Sequence, residues 1–220
     1  MNTKLADTLS LSSEQLTLAM GCFWNPEALF GQFTGVIQTA TGYAGGTTTH
    51  PTYRNLEDHS ESIEITFDPQ KISLEQLLHS FWNHHRPDAI NGYKGRQYMS
   101  ILFYRNLEQY EMIIHVQQQY APQSLSTEIV PYTDFTQAEE RHQKYYLQRQ
   151  PELFKQGIEH LGTQENLFHS TIGARLNAWA KGYLSRAEIM QELKKTAYNY
   201  ITKRQQYDIL EWMEQHLRDE

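Results

Sequence analysis

One cysteine in 220 residues excludes an internal disulfide, and with it any reaction that closes one between two cysteines of the same chain. A long apolar run is also missing: no stretch approaches the roughly 20 residues of a membrane-spanning helix. Met1 to Glu14 is polar and lacks the apolar core of a secretory leader, so a cytoplasmic protein is expected, in a compartment where a lone thiol stays reduced. Positive charge is scarce. Nineteen Lys and Arg against 26 Asp and Glu give a net charge of -7 and a pI near 5.8, which argues against a nucleic-acid or anionic-membrane binder. Metal-ligand spacing is absent: His84 and His85 are adjacent and point different ways, and no HExxH or Cys/His pattern occurs, so no metal is expected. The glycine-rich turn Gly42-Tyr43-Ala44-Gly45-Gly46 lacks GxGxxG spacing and opens no helix, against nucleotide binding. Aromatic residues, in contrast, make up 12% of the chain, with fourteen tyrosines, which suits a core or pocket lined by rings.

The one cysteine stands in Gly21-Cys22-Phe23-Trp24. Leu16, Leu18 and Met20 alternate with Thr17 and Ala19, the period of a half-buried strand ending just before Cys22. Asn25 as cap, Pro26 at the first helical position and Glu27 in the first turn predict a helix over Pro26 to Gln32. Cys22 is thus expected at a strand-to-helix junction, where free amides and the helix dipole favour the reactive thiolate. A small buried hydrophobe is the other reading of a lone cysteine.

A second strand is expected over Val36 to Tyr43, then a threonine-rich loop leading to Pro51-Thr52-Tyr53-Arg54, and a third strand over Glu61 to Phe67. Period two puts Ile63, Ile65, Phe67 and Glu61 on one face, with Ser62, Glu64 and Thr66 on the other. A carboxyl on an apolar face has its pKa raised and can serve as a general acid; a solvated, frayed Glu61 is the competing reading. Ser73 and Gln76 form a capping box opening a helix whose Leu74, Leu77, Leu78, Phe81 and Trp82 make a core stripe. A loop over Arg86 to Arg96 precedes a strand from Gln97 to Tyr104, in which Met99, Ile101 and Phe103 share a face and Tyr98 lies opposite. Asn106 caps a helix carrying Leu107, Tyr110 and Ile114, Ser126 to Val130 reads as a fifth strand, and Thr136 with Glu139 reads as a capping box starting a helix through Tyr145 and Tyr146. The order strand, helix, strand, strand, helix, strand is that of the split βαβ. The expected fold is therefore α+β, a two-layer ferredoxin-like plait with an antiparallel sheet and a C-terminal helical extension. We divide the chain into a catalytic domain over 1–162 and an extension over 163–220 packed on it. The extension carries three stripes: Ile172, Leu176 and Trp179; Ile189 and Leu193 behind a Ser185/Glu188 cap; and Leu210, Met213 and Leu217.

Collected in order, Gly21-Cys22-Phe23-Trp24 with Glu27, Thr41 to Gly46, Pro51-Thr52-Tyr53-Arg54, His59-Ser60-Glu61, Phe67 to Trp82, Gly95 with Gln97-Tyr98 and Ser100, and His142 to Tyr146 resemble the A-type methionine sulfoxide reductases, the peptide-methionine (S)-S-oxide reductases. The resemblance spans roughly 14–150. It implies a sulfoxide-attacking nucleophile at Cys22 that becomes a sulfenic acid as methionine leaves, and an acid at Glu61 that protonates the oxygen. Phe23 and Trp24 would hold the substrate methyl group, and Tyr43, Tyr53 and Tyr98 would hydrogen-bond in the site, with buried structural rings as the other reading of these tyrosines. The substrate that the resemblance implies is methionine S-sulfoxide, free or in proteins, and no metal or organic cofactor is implied.

Three positions depart from the family pattern, and the tail departs as well. Tyr93 stands where an aspartate is usual, with Asp88 as a possible substitute; Arg86 replaces another aspartate, and Asn25 replaces the glycine after the tryptophan. The C-terminal recycling cysteines of many members are missing, so the sulfenic acid must be reduced by an external thiol, either thioredoxin or glutathione with glutaredoxin. Two rivals stand beside the reductase: a cysteine hydrolase using Cys22 with His59 and Glu61, and a module that binds oxidised methionine without turnover.

Overall fold

In the computed structural model, residues 13–121, 123–195 and 203–216 are described. Strand β1 (Glu14–Met20) ends one residue before the Gly21-Cys22 turn, and its alternating Leu16 and Leu18 are fully buried. Helix α1 (Trp24–Gly31) follows at once, then β2 (Val36–Ala44) and β3 (Ser60–Phe67). Helix α2 (Leu74–Asn83) opens with the Ser73/Gln76 capping box, both halves of which are formed. A four-residue helix α3 (Pro87–Ile90) and a short strand β4 (Tyr93–Arg96) occupy the expected loop, before β5 (Ser100–Tyr104) and α4 (Leu107–Gln117). Strands β6 (Glu128–Pro131) and β7 (Phe135–Gln137) come next. Helices α5 (Pro151–Leu161), α6 (Gln164–Phe168), α7 (Thr171–Lys181), α8 (Arg186–Lys195) and α9 (Lys203–His216) complete the order.

The result is a mixed α and β fold around a six-stranded sheet in the order β6-β5-β1-β3-β2-β7. Strand β1 is central: it pairs antiparallel with β3 (Leu16↔Ile65) and with β5 (Leu18↔Leu102). The expectation of a wholly antiparallel sheet fails at one edge. The α4 crossover returns the chain in the direction it left, so β6 pairs parallel with β5 (Leu102↔Ile129), as a strand–helix–strand connection requires.

One sheet face carries the main core, where Leu16, Leu18, Ile63, Ile65 and Phe67 meet Leu29 and Phe30 of α1, Leu77, Leu78 and Phe81 of α2, and Ile113 and Val116 of α4. On α4 the buried residues are Gln109, Ile113 and Val116, whereas the expected Leu107 and Tyr110 are exposed. The opposite face carries Ala19, Ala44, Ile101 and Phe103, covered by Val130, Tyr132 and Phe135. A further cluster joins Leu153, Leu161, Leu167, Ile172, Leu176, Ile189, Leu193, Leu210 and Met213 among the C-terminal helices. The Ser185/Glu188 cap of α8 forms, and Leu217 of the third stripe lies outside the described residues.

The helix expected from Thr136 is replaced by β7 and two short 3-10 turns, Glu140–His142 and Leu147–Arg149. Glu139 does not close a capping box, because its carboxylate accepts from the Tyr43 hydroxyl at 2.7 Å and from the Tyr53 amide at 3.2 Å.

Helix α7 packs directly on α1. Gly31 makes this possible: a Cβ there would come within 2.5 Å of the Ala174 carbonyl oxygen. Two buried polar groups fasten the junction. Arg175, 1% exposed, donates to the carbonyls of Gly31 (2.6 Å) and Val36 (2.9 Å) and pairs with Glu192 (2.6 Å). The Lys144 ammonium, fully buried, meets Glu27 at 2.6 Å and the Thr39 carbonyl at 2.7 Å, while Asn177 accepts from the amides of Tyr146 and Leu147.

Candidate active site

Where β1 ends, Gly21 turns the chain with φ +83, a conformation that L side chains rarely adopt, and delivers Cys22 half-buried beside α1. The helix begins at Trp24 rather than Pro26, and Phe23, not Asn25, flanks it. Asn25 has another use: its side-chain oxygen accepts from the Tyr183 hydroxyl at 2.9 Å.

The free amides of this helix start serve the site. Phe23 N–H donates to Glu61 Oε2 at 3.1 Å, and Trp24 N–H donates to the Cys22 sulfur. Glu61, 1% exposed at the start of β3, is held on its other oxygen by Gln97 Nε2 at 2.7 Å, and its own amide donates to the Gln97 carbonyl at 3.0 Å. The Tyr98 hydroxyl, two residues past the end of β4, hydrogen-bonds the sulfur as well, so acid, thiol and phenol meet at one point.

Burial pushes the Cys22 thiol above its ordinary range; the Trp24 amide and Tyr98 hydroxyl pull it down, and the Glu61 charge adds to the rise. The helix start therefore helps the thiolate, as expected, but burial outweighs it. Burial likewise raises the Glu61 carboxyl, against the opposing pull of Gln97 and the Phe23 amide. Protonating Glu61 removes a negative charge next to the sulfur, so a protonated acid and an ionised thiol favour one another. Such a pair can deliver a proton to an oxygen while the sulfur attacks its neighbour.

Around this pair stands a wall of rings. Phe23 is buried with its centroid 6.0 Å from Tyr43, 6.4 Å from Trp24 and 5.3 Å from His142. Trp24 lies parallel to Tyr145 at 3.6 Å and donates from Nε1 to His142 Nδ1 at 3.2 Å. The Tyr53 ring packs on His142 at 4.6 Å, and its hydroxyl meets the Gln97 side chain. Cys22, Glu61, Phe23, Trp24, Tyr53 and Tyr98 are thus brought together. Tyr43 joins them through its ring, whereas its hydroxyl is turned to Glu139.

Three other positions resolve differently. His59 is fully buried, its Nδ1 lies 3.1 Å from the Leu56 carbonyl, and its ring leaves no room for a Cβ at Gly46. The groups acting most strongly on the Cys22 thiol are the Trp24 amide, Glu61 and Tyr98. Asp88 is engaged by the Ser126 hydroxyl. Tyr93 is 75% exposed, its ring parallel to Tyr98 at 6.3 Å.

Sequence reasoning missed Glu139, His142, Tyr145, Tyr146 and Tyr183 as site neighbours. The run His142 to Tyr146 was visible as a motif, but its assignment to a helix hid the side on which its rings lie. Tyr183 carries no local signal, since it reaches Asn25 across 158 positions.

A family profile described as peptide methionine sulfoxide reductase matches residues 14–173. The chain is 39% identical over 157 residues to a peptide methionine sulfoxide reductase of Drosophila melanogaster, covering 70% of this chain and 63% of that one. It is 38% identical over 182 residues to peptide methionine sulfoxide reductase A5 of Oryza sativa subsp. japonica, covering 80% and 71%. Among solved structures, methionine sulfoxide reductase A of Corynebacterium diphtheriae superposes with a TM-score of 0.55 at 29% identity, covering 64% of this chain and 77% of that one.

Proposed function

The chain belongs to the peptide methionine sulfoxide reductases, and from that premise we propose that it reduces methionine S-sulfoxide, free or in proteins, to methionine with Cys22 as its redox sulfur. The observation that carries the assignment is the convergence of Glu61, Tyr98 and the Trp24 amide on the one thiol of the chain. The Cys22 thiolate attacks the sulfoxide sulfur while Glu61 protonates the oxygen. Substrate sulfur gains two electrons and Cys22 loses two, the oxygen passes to Cys22 with the proton, and methionine leaves a sulfenic acid behind. Phe23 and Trp24 offer the S-methyl group a polarizable wall, and Tyr53 and Tyr98 hydrogen-bond at the polar side. Tyr43 supports this wall through its ring.

No second cysteine is available for the next step. An external thiol displaces water from the sulfenic acid to give a mixed disulfide, and a second thiol releases Cys22. Thioredoxin, or glutathione with glutaredoxin, has the chemistry required. No metal or organic cofactor enters either half-reaction.

The finer features of the reading follow the same line. The antiparallel order β5-β1-β3-β2, crossed by α1 and α2, supports a ferredoxin-like plait at the centre of the sheet. The catalytic residues all fall within 1–162, and the extension over 163–220 is read as packed on that part, with α7 bonded to both ends of α1. Among the described residues no helix is long and apolar enough to cross a membrane, and a single unpaired thiol suits the reducing cytoplasm.

The deciding experiment mixes reduced protein with racemic methionine sulfoxide and no reductant. About one methionine per chain, one oxygen gained at Cys22 and consumption of the S epimer alone are expected. An unmodified Cys22 with no methionine released would overturn the assignment, leaving the binding module; turnover of acyl substrates lost in His59→Ala would point to the hydrolase.

A further inference from the structure

A run of rings leads outward from the residues beside the nucleophile and branches to two exposed cations. Trp24, two residues from Cys22, lies against Tyr145 at 3.6 Å and 10°, and the Arg149 guanidinium is 3.3 Å from the Tyr145 centroid. Both contacts are too short to share one face of the ring, so Tyr145 is sandwiched between tryptophan and guanidinium. Tyr146 stands edge-on to Tyr145 at 5.4 Å, and the Lys181 ammonium lies 5.1 Å from its ring.

These cations differ from Arg141 and Arg96, and share the lack of a carboxylate partner with Lys94, whose charge acts on Glu61. Arg141 is paired with Glu139 at 3.4 Å and Arg96 with Glu128 at 2.5 Å. Among the described residues no carboxylate lies within 4 Å of the charged nitrogens of Arg149 or Lys181, although the chain as a whole carries -7. The Arg149 guanidinium donates once, from Nη1 to the Tyr145 carbonyl at 3.3 Å; held there and flat on the ring, it loses little further freedom when its remaining N–H groups bind a carboxylate. The two come from separate parts of the chain, Arg149 from a 3-10 turn and Lys181 from the last turn of α7, and the Asn177 bond to the Tyr146 amide holds those parts together.

We infer that Arg149 and Lys181 form a carboxylate-binding rim that directs the enzyme to oxidised methionine in acidic segments of polypeptide. This rests on the reductase reading above. An extended peptide advances about 3.3–3.6 Å per residue, so with methionine sulfoxide at Cys22 an Asp or Glu two or three positions away lies roughly 7–11 Å along the rim, beyond the tyrosines. Charge of this kind acts on capture more than on chemistry, so the preference belongs in KM.

The test uses the full chain and three methionine sulfoxide peptides of equal length, flanked by Glu, Ala or Lys. At low ionic strength the ratio of kcat/KM for Glu-flanked over Lys-flanked peptide is expected at about tenfold, carried by KM and shrinking as salt is raised. The ratio is read within each enzyme, so a change in overall activity drops out. Arg149→Gln with Lys181→Gln should bring it near one, and Arg149→Glu with Lys181→Glu should invert it. A wild-type ratio near one, or a ratio that neither double variant moves, would overturn the rim. Failure to release methionine from any peptide, the Ala-flanked one included, would instead strike the reductase reading, and the rim with it.

Discussion

At the residue scale the chemistry depends on how three groups share one proton-sensitive point. Glu61 raises the Cys22 thiol through its charge, whereas Tyr98 lowers it by hydrogen bonding to the sulfur. Removing each should therefore move the thiol in opposite directions. Glu61→Gln removes a negative neighbour, so the thiol ionises at lower pH and iodoacetamide alkylation begins earlier in a pH series. Methionine release nevertheless falls by about 10²–10⁴, since the amide cannot protonate the departing oxygen. Tyr98→Phe removes a stabiliser of the thiolate, so alkylation begins at higher pH. An unchanged alkylation profile in both variants would mean that burial alone sets the thiol. Cys22 and Glu61 were legible in the sequence because the strand period and the turn before the helix are local patterns. Gln97 was legible only as part of a motif, since its hold on Glu61 depends on where β4 lies.

At the scale of elements, local signals succeeded where no distant partner competed. The Ser73/Gln76 box formed because both of its side chains are free to face each other. The Thr136/Glu139 pattern is chemically equivalent and failed, because Tyr43 and Tyr53 claim the Glu139 carboxylate from 96 and 86 positions away. Helix α4 was recognised from its Asn106 cap, yet its buried stripe was misread: Gln109 bonds the Gln15 carbonyl of β1 at 2.8 Å, turning Ile113 and Val116 inward. The same dependence on distant partners makes α7 a testable part of the catalytic unit. Arg175→Ala leaves the Gly31 and Val36 carbonyls and the Glu192 carboxylate without their donor in a buried junction. A loss of about 3–5 kcal/mol in urea unfolding is expected, seen as a lower midpoint at unchanged slope. A loss under 1 kcal/mol would mean that water or neighbouring groups replace the guanidinium.

For the whole molecule, the amphipathic stripes of the C-terminal helices were readable, but the surface they cover was not, because a helix face records that it is buried and not what buries it. The structure answers this for α7, which touches the reactive end of the chain twice: Arg175 grips the C-terminal end of α1, and Tyr183, just beyond the left-handed Gly182, bonds Asn25 at the other end of the same helix. Helix α1 is thereby clamped at both ends by a segment more than 140 positions away. The matched family profile also continues to residue 173, into this helix. A chain ending after Gly162 would expose Gly31 and the α1 surface around it, strand the buried Glu27 and Lys144 pair without Asn177, and leave Leu147, Leu153 and Leu161 without the cluster they belong to. It should lose its cooperative thermal transition and with it the single turnover of methionine sulfoxide, measured by far-ultraviolet circular dichroism and methionine release. If the shortened chain instead melts cooperatively at the midpoint of the full protein and still releases one methionine per cysteine, the clamp on α1 is dispensable, and 1–162 is an autonomous unit to which the extension has been added.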